Sequence, residues 1–522
     1  MGVRFPPRAQ MNFRKIFLQE KLEFLLGFFI FVYFAYFTTA SFLRYDNFYT
    51  GRFDLGNMDQ TVWNTINGRI FQASSDNGEI ISRLSSHADF MLILLSPFYL
   101  IWPHPKMLLL IQSFFLGIGG IFVFLIAKEV LKNKTLAIIF AFLFLMNPLL
   151  QFTNLYDFHA VTLATTLLLA SFYFLIKQKY FLLVIFLILS GITKEQVWVI
   201  TSLFGFPLLF KTGIKLKLLG AIIIFLSLTI FVYLIGYAIP QSLGKHHFAL
   251  AYYSDFGNSP TQVVSNILLS PQKLFSTIFE ESRIQYLKQI FIPLGFLSLL
   301  SPMHLIFSIP DFLINLLSNN SQLHQIYYQY SATITPFIFI SAIFGVKQLI
   351  NPAPFLCGVL NPRRKRNHQT HKACCGVLKR RCIKWFLKIP KLYIGVYLVL
   401  ATLLASYLYG PLPMSKNPNI DMFIQPLKNK DTIERFISKI PQKYSVAATN
   451  NLGSHLSQRR IIYTIPIGID KADIVLFLLS SSSWSSSLDA QRAMIKSIKS
   501  NKNYIEVFNK DDFVVFKRRN LL

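Results

Sequence analysis

Long apolar runs alternate with short polar segments over most of the chain, and this alternation predicts a bundle of membrane-spanning helices. A helix needs roughly 20 apolar residues to cross a hydrocarbon layer about 30 Å thick, and fewer where neighbouring helices bury it. The segments that meet this criterion are residues 22–43, 106–127, 135–153, 158–176, 180–192, 197–210, 218–239, 287–300, 304–317, 330–344 and 392–409. The pattern therefore predicts a mainly α fold, a polytopic transmembrane helical bundle of about eleven spans.

One further apolar segment, residues 90–102, fits this scheme less simply. It ends at Pro103 and Pro105, which stop a helix. Counting it as a span would also put the next lysine-rich loop on the opposite side from all later basic loops. The pattern favours an interfacial or re-entrant helix on the outer leaflet, inside a large first extracytoplasmic loop of residues 44–105.

The character of the chain changes at Gly410-Pro-Leu-Pro, after the last predicted span. Short β-branched and aromatic runs predict buried strands, and two amphipathic segments predict helices. The strand segments are residues 445–449, 461–466, 473–479 and 513–516, and the helical segments are residues 431–440 and 489–498. These elements predict a small C-terminal α/β domain on the extracytoplasmic side.

The predicted elements also divide the chain into regions. These are a cytoplasmic tail (1–21), a transmembrane domain (22–350), a basic cytoplasmic loop (351–391), a last transmembrane helix (392–409) and an extracytoplasmic α/β domain (410–522). The first ten residues carry Pro6-Pro7 and two arginines without any periodicity, so Met11 is an alternative expected start.

Composition supports an integral protein of the cell (plasma) membrane, since 53% of the 522 residues are hydrophobic and 52 are Phe. The formal net charge of +28 could indicate nucleic acid as a partner. Lys and Arg, however, fall in short alternate loops rather than along an aromatic face, as the positive-inside rule predicts for cytoplasmic loops. The distribution predicts a cytoplasmic N-terminus, contact with membrane lipids and no nucleic-acid partner.

The cysteines all fall in the basic loop, at Cys357, Cys374, Cys375 and Cys382. A cytoplasmic loop is reducing, so no disulfide framework is predicted. With His368 and His371 these thiols could bind zinc, but adjacent cysteines do not match the spacing of a zinc-binding pair. The pattern favours a solvated loop with reduced thiols.

Acidic residues concentrate in the first loop, where Asp54 and Asp59 follow the first span within Arg52-Phe-Asp-Leu-Gly-Asn-Met-Asp-Gln. A carboxylate at the membrane surface can act as a general base toward a hydroxyl, or it can bind a divalent metal on a phosphate. The alternative for either residue is a solvated loop acid. The spacing alone does not choose between these interpretations.

Other ionisable residues also fall in loops predicted to be extracytoplasmic. They are His87, Asp157, His159, Lys194, Glu195 and His324, with the phenol of Tyr328 close by in sequence. Ionisable residues beside membrane spans are costly enough to be functional candidates. Two structural alternatives stay open: an internal ion pair between Lys194 and Glu195, and an interfacial aromatic belt for the tyrosines.

Several of these motifs together resemble a bacterial membrane-protein family of unknown function (domain of unknown function 2079). The resemblance rests on Phe53-Asp-Leu-Gly-Asn-Met-Asp-Gln with Trp63, His87 before Ser96-Pro-Phe-Tyr, Asp157-Phe-His, Lys194-Glu, His324 before Pro336-Phe, and Val446-Ala-Ala-Thr-Asn-Asn-Leu-Gly-Ser-His-Leu-Ser-Gln-Arg. It covers about residues 42–517. The family in turn resembles the GT-C superfamily of polytopic glycosyltransferases, which use polyprenyl-phosphate sugars.

The resemblance implies roles for particular residues. The superfamily keeps an essential acid in its first outer loop, which would be Asp54 here, with Asp59 as the reserve candidate. Residues 90–102 would correspond to its juxtamembrane helix. The family often has a second acid after Lys-Glu, where this chain has Gln196, and the basic loop resembles an insertion.

The leading hypothesis is a membrane glycosyltransferase that inverts the sugar's anomeric centre. A polyprenyl-phosphate sugar would be the donor, a lipid or glycan of the cell envelope the acceptor, and Asp54 the general base. The remaining assignments are phosphate binding by Lys194 with His87 or His159, and orientation of sugar or acceptor by Glu195, Asp157 and His324. A divalent cation is left open, and no organic cofactor is expected. The alternatives are a transporter or flippase of a lipid-linked or anionic solute, and a non-catalytic envelope protein.

Overall fold

The computed structural model describes residues 7–244, 248–351, 390–480 and 486–521. Residues 352–389 of the basic loop (351–391), which include its cysteines and histidines, lie outside the described residues.

The part of the chain before the predicted C-terminal domain is mainly helical. Its α-helices are α1 (Pro7–Asp46), α2 (Asn57–Ile66), α3 (Met91–Leu95), α4 (Lys106–Leu131), α5 (Lys134–Leu145), α6 (Pro148–Leu155), α7 (Ala164–Ile176), α8 (Tyr180–Gly191), α9 (Val197–Leu203), α10 (Phe206–Leu209), α11 (Ile214–Tyr233), α12 (Ile239–Leu243), α13 (Pro260–Leu269), α14 (Pro271–Ile278), α15 (Glu281–Phe291), α16 (Pro302–Leu305), α17 (Ile309–Leu316), α18 (Thr335–Ile350) and α19 (Lys391–Tyr409). Each predicted span overlaps at least one of these helices, so the mainly α prediction is confirmed.

Only some of these helices are individually long enough to cross a bilayer. Within the described ranges, four helices are long and apolar enough, namely Lys21–Asp46, Lys106–Leu131, Ile214–Leu243 and Lys391–Tyr409. The pair α5 and α6, bent by 41°, would be a fifth. The count of about eleven spans stays a prediction, as does the sidedness of the loops.

Proline and glycine explain why two apolar segments are broken into shorter helices. The predicted span at 197–210 is interrupted at Gly205, and Pro207 lies in the first turn of the helix that follows. Residues 90–102 likewise form only α3 and one 3-10 segment, Ser96–Leu100, with Pro97 at its start. Proline is tolerated in the first turn of a helix but not in its interior, so each proline here starts a new segment.

The core of the bundle is built from phenylalanine packed between α5 and α18. Phe144 and Phe339 are fully buried, and their rings meet edge to face at 5.3 Å. Gly119 of α4 faces Phe144 so closely that a Cβ atom there would lie 2.8 Å from the ring. Lipid is as apolar as this core, so close packing, rather than exclusion of water, holds such helices together.

The C-terminal part forms the predicted small α/β unit. Its elements are α20 (Asp421–Ile424), α21 (Lys430–Ile437) and α22 (Leu488–Ser500), with β3 (Val446–Ala448), β4 (Ile462–Thr464), β5 (Ile474–Leu478), β6 (Tyr504–Lys510) and β7 (Phe513–Arg518). The sheet order is β4-β3-β5-β7-β6, with β3 parallel to β4 and β5, and β7 antiparallel to β5 and β6. All four predicted strands are confirmed.

Two strand pairings were not predicted. The edge strand β6 reads Tyr-Ile-Glu-Val-Phe-Asn-Lys and is mostly exposed, so it lacks the apolar run that marks a buried strand. In the first loop, β1 (Gln72–Ser74) and β2 (Ile80–Ser82) form an antiparallel hairpin whose strands are too short to show any periodicity.

The C-terminal unit packs directly on the first loop. His455 lies between Tyr45 and Phe48, with ring centroids 4.0 and 3.9 Å apart. The hydroxyls of Thr50 and Ser454 are hydrogen-bonded at 2.7 Å in a buried contact. Segments about 400 residues apart in sequence therefore form one packed unit.

Gly453 allows the closest approach in this contact, because a Cβ atom there would lie 2.1 Å from Cβ and 2.8 Å from Cα of Arg52. We predict that Gly453→Ala destabilises the protein by about 1–3 kcal/mol, the usual cost of overpacking, seen as a lower melting temperature in detergent. Gly27→Ala is the matched control, since nothing lies within 4 Å of its added carbon. Equal melting temperatures for the two variants would contradict this account.

Candidate functional site

The backbone that leads to Asp54 is held from two sides. The side-chain oxygen of Asn450 accepts hydrogen bonds from the amides of Arg52 and Phe53, at 2.8 and 3.3 Å. On the other side, the Gly51 amide donates to Asp157 Oδ2 at 2.8 Å. Residues Arg52–Gly56 then form a single π-helical turn ahead of α2. The position of this first-loop backbone is therefore fixed by residues that are distant in sequence.

Asp54 is oriented by two donors. His159 Nε2 lies 3.0 Å from Asp54 Oδ1, and the Tyr156 hydroxyl donates to Asp54 Oδ2 at 3.1 Å. Burial and the charge of Asp54 raise the pKa of Tyr156, so the phenol stays a donor. The Asp54 side chain is still 28% exposed, which leaves a face of the carboxylate open to a ligand.

Asp59, the reserve candidate for the acid, lies in a different environment. It is fully buried and accepts hydrogen bonds from Tyr99 and Ser457, both at 2.6 Å, and from Gln458 at 3.2 Å. Burial raises its pKa to about 6. These contacts join the first loop to the C-terminal unit and leave no open face.

Asp157 supports the loop. Besides its bond to Gly51, its Oδ1 lies 3.9 Å from the guanidinium of Arg44. Burial, together with the nearby charge of Asp54, raises the pKa of Asp157 to about 6. Asp157 therefore fixes the backbone at Gly51, three residues before Asp54.

Lys194 and Glu195 do not form the internal ion pair that was left open as an alternative. Glu195 instead lies 2.9 Å from His87 Nδ1 and accepts from the Ala88 amide at 3.0 Å. Burial opposes ionisation, but the contacts with His87 and the charge of Lys194 outweigh it and hold the pKa of Glu195 well below its usual value. Within the described part of the chain, the Lys194 ammonium has no hydrogen-bond or ion-pair partner.

Two cavities meet at this site. The first cavity, of about 1030 Å³, is lined by Asp54, His87, His159, Lys194 and Glu195. The second cavity, of about 1350 Å³, is lined by Asp54, Asp157 and Tyr328 together with residues of the C-terminal unit. Among the described residues, Asp54 is the one that lines both. His324 and Asp59 line neither cavity.

Comparison with known proteins fits the sequence motifs. A model of the family described as "Predicted membrane protein (DUF2079)" matches residues 44–515. The chain belongs to this DUF2079 family. A search of curated proteins finds no match. Among solved structures, the chain is similar to ArnT from Cupriavidus metallidurans bound to undecaprenyl phosphate, with 11% identity, a TM-score of 0.48, and coverage of 93% of this chain and 97% of that chain.

In this DUF2079 protein, two of the segments that carried the sequence resemblance contact each other. The first-loop segment at residues 53–60 lies against the C-terminal segment at residues 446–459, through Asn450, Ser457 and Gln458. The roles of Asp54, His87, His159, Lys194, Glu195, Asp157, His324 and Tyr328 stay predictions. His324 is buried, and its Nδ1 has no hydrogen-bond partner among the described residues.

Some residues of the site were not predicted from sequence. Tyr156 directly precedes the Asp157-Phe-His motif, so its position was a usable signal, but an aromatic beside a span is usually an interfacial residue. Arg83 and Asp89 form a buried ion pair at 2.9 Å beside the first cavity. No group of three or more potential metal-ligating side chains of His, Cys, Asp or Glu is found over the ranges that the structure describes.

The burial of Asp59 makes stability depend on pH. Its pKa rises from 3.8 to about 6 on folding, which corresponds to roughly 3 kcal/mol at most. The protonated form is favoured in the folded state, so this contribution is complete below about pH 4 and is lost as pH rises through 6. We predict that Asp59→Asn flattens the decline in melting temperature between about pH 4 and pH 6, the range between the two pKa values of Asp59.

Asp255→Asn is the control for this measurement, because Asp255 is exposed and lies outside both cavities. It should follow the wild-type pH curve. An Asp59→Asn variant that also follows that curve would show that Asp59 is not the source of the pH dependence.

Proposed function

We propose that this protein is a membrane glycosyltransferase that moves a sugar from a polyprenyl-phosphate donor to an acceptor of the cell envelope, at the extracytoplasmic face. The observation that carries the proposal is the first cavity, which is lined both by an oriented carboxylate, Asp54, and by Lys194, a cation without an ion-pair partner among the described residues. The motif resemblance to GT-C glycosyltransferases supplies the donor class. The basic loops on the opposite side support the outward face.

In the proposed step, an acceptor hydroxyl attacks the anomeric carbon of the donor sugar. Asp54 takes the hydroxyl proton as the new carbon–oxygen bond forms. The bond between the anomeric carbon and the phosphate oxygen breaks, and polyprenyl phosphate leaves with the bonding electron pair. A phosphate is a good leaving group, so the step needs charge stabilisation more than acid catalysis.

Lys194 is suited to stabilise that departing phosphate. Its neighbour Glu195 contacts His87 and the Ala88 amide instead, and over the ranges that the structure describes the ammonium has no ion-pair partner. A cation positioned before the reaction stabilises charge that develops on the phosphate oxygens without further reorganisation. His87 stands next to it in the first cavity and is our second candidate for phosphate contact.

His159 receives a different role from this geometry. Its Nε2 is bonded to Asp54, and its buried Nδ1 has no partner among the described residues. A ring that donates through Nε2 to one carboxylate oxygen holds that carboxylate in one orientation. We therefore assign His159, with Tyr156, to positioning of the base rather than to phosphate binding.

The first cavity also has an apolar wall suited to a lipid. Phe231 and Ile235 line it, and both belong to the long apolar stretch Ile214–Leu243. A polyprenyl phosphate needs both features, a charged region for its head group and an apolar path for its chain. The combination supports a lipid-linked donor in this cavity.

The placement of the ionisable residues supports transfer over transport. Transporters usually carry such residues near the bilayer midplane on broken helices. Here they lie in loops, since Asp157 follows α6, which ends at Leu155, and Lys194 follows α8, which ends at Gly191. Lys194 shares the first cavity with Asp54, and Asp157 shares the second.

Asp54→Asn tests the base. We expect it to lower sugar transfer by at least about 100-fold, because an amide cannot take the proton. The assay is transfer of labelled sugar from polyprenyl-phosphate donors into envelope acceptors in membranes that contain the protein. Asp255→Asn, an exposed carboxylate outside both cavities, is the matched control. Sugar transfer at the wild-type rate by Asp54→Asn would contradict the proposed mechanism.

Lys194→Ala tests the phosphate contact. We expect it to lower kcat/KM for the donor by about 10- to 100-fold, with partial recovery in Lys194→Arg, since the loss is that of one charge-assisted contact. Lys179→Ala, in an exposed turn, is the control. Equal loss in the Ala and Arg variants would argue against a charge contact.

A further inference from the structure

The proposed step uses the first cavity and leaves the second without a role. The second cavity lies between the first loop, residues 156–157 and 327–328, and the C-terminal unit. Of the four helices in the described ranges that are long enough to cross a membrane, only α1 reaches it, through Arg44 near its end. The first cavity, by contrast, is walled in part by the apolar stretch Ile214–Leu243. Among the described residues, the second cavity therefore has no comparable apolar wall for a lipid chain.

Buried polar atoms that form no hydrogen bond within the described ranges lie beside this second cavity. Asp157 Oδ1 is among them, and its contact with Arg44 is the 3.9 Å ion pair described above. Arg44 Nε, Asp157 Oδ1 and Asn451 Oδ1 are buried and form no hydrogen bond within the described part of the chain. All three residues line the second cavity. Buried polar atoms are normally paired, so these atoms indicate a polar ligand or ordered water at this position. One is a donor and two are acceptors, which suits hydroxyl groups, because a hydroxyl both donates and accepts.

Three tyrosines provide an aromatic surface next to these polar groups. The ring centroid of Tyr328 lies 4.9 Å from that of Tyr156 and 5.2 Å from that of Tyr327. All three line the second cavity, and Tyr327 is 37% exposed. The C–H bonds on one face of a sugar ring carry partial positive charge and pack on the negative face of an aromatic ring. Aromatic rings beside polar groups are thus the chemistry of a carbohydrate site.

The link between the two cavities is Asp54, which lines both, while Tyr156 belongs to the tyrosine cluster and donates to Asp54. We propose that the second cavity is the acceptor site and that the acceptor is a glycan chain, not a lipid. This inference rests on the proposed function, because only a transferase has an acceptor. Glycan binding to the cavity can be measured without any transfer.

The test measures binding to the full-length protein in detergent by saturation-transfer NMR. The probes are three fractions of the envelope of the cells that make the protein: water-soluble oligosaccharides released by mild acid, solvent-extracted lipids, and tryptic peptides. We expect saturable binding of the oligosaccharide fraction. Tyr328→Ala should weaken it at least about tenfold, and Tyr328→Phe should retain it, because the ring supplies the contact.

Tyr393→Ala is the matched control, a tyrosine that is 64% exposed on α19 and lies outside both cavities. It should bind oligosaccharides like the wild type. Binding of only lipids or only peptides, no saturable binding of oligosaccharides, or equal binding by Tyr328→Ala and the wild type would each overturn the inference. Sugar transfer is measured separately, in the Asp54→Asn assay. A protein that binds glycans but has no transferase activity would therefore be recognised as such.

Discussion

The candidate site depends on one constraint, the fixation of a short stretch of first-loop backbone by a domain about 400 residues away in sequence. Asn450 accepts from two consecutive backbone amides, and Asp157 accepts from a third just before them. Buried amides must be paired, so the loop keeps this conformation only while those partners are in place. Because Asp54 directly follows these residues, the orientation of its side chain depends on the C-terminal unit as much as on the helices. The C-terminal unit is therefore part of the candidate site.

Burial divides three similar aspartates into three roles. Asp54 keeps an exposed face and two donors, Asp59 is enclosed by three donors, and Asp157 is buried against a backbone amide. A carboxylate with all its acceptor positions occupied joins segments, whereas one with a free position can receive a proton from a ligand. The sequence spacing of the aspartates contains none of this information, because the donors come from other parts of the chain.

The fold was more predictable than the site for this reason. Apolar runs and strand patterns are local, so the helices and four of the five C-terminal strands followed from sequence, while the exposed edge strand β6 did not. Glu195 contacts His87, 108 residues away, whereas the sequence left open an ion pair with the adjacent Lys194. Only the combination of motifs pointed to a shared site. Even so, it did not predict that the C-terminal motif would hold the first-loop motif.

An inverting displacement places its own demand on the geometry. The nucleophile must approach the anomeric carbon from the side opposite to the departing phosphate. The base and the phosphate-binding cation therefore lie on opposite faces of the sugar. A single pocket with one opening would force a glycan acceptor and a lipid-linked donor through the same entrance. Two cavities that meet at the base remove this conflict, since Asp54 is reached from both and Lys194 lines only the first. The proposed reaction thus explains why the carboxylate common to both cavities is the one with a free face.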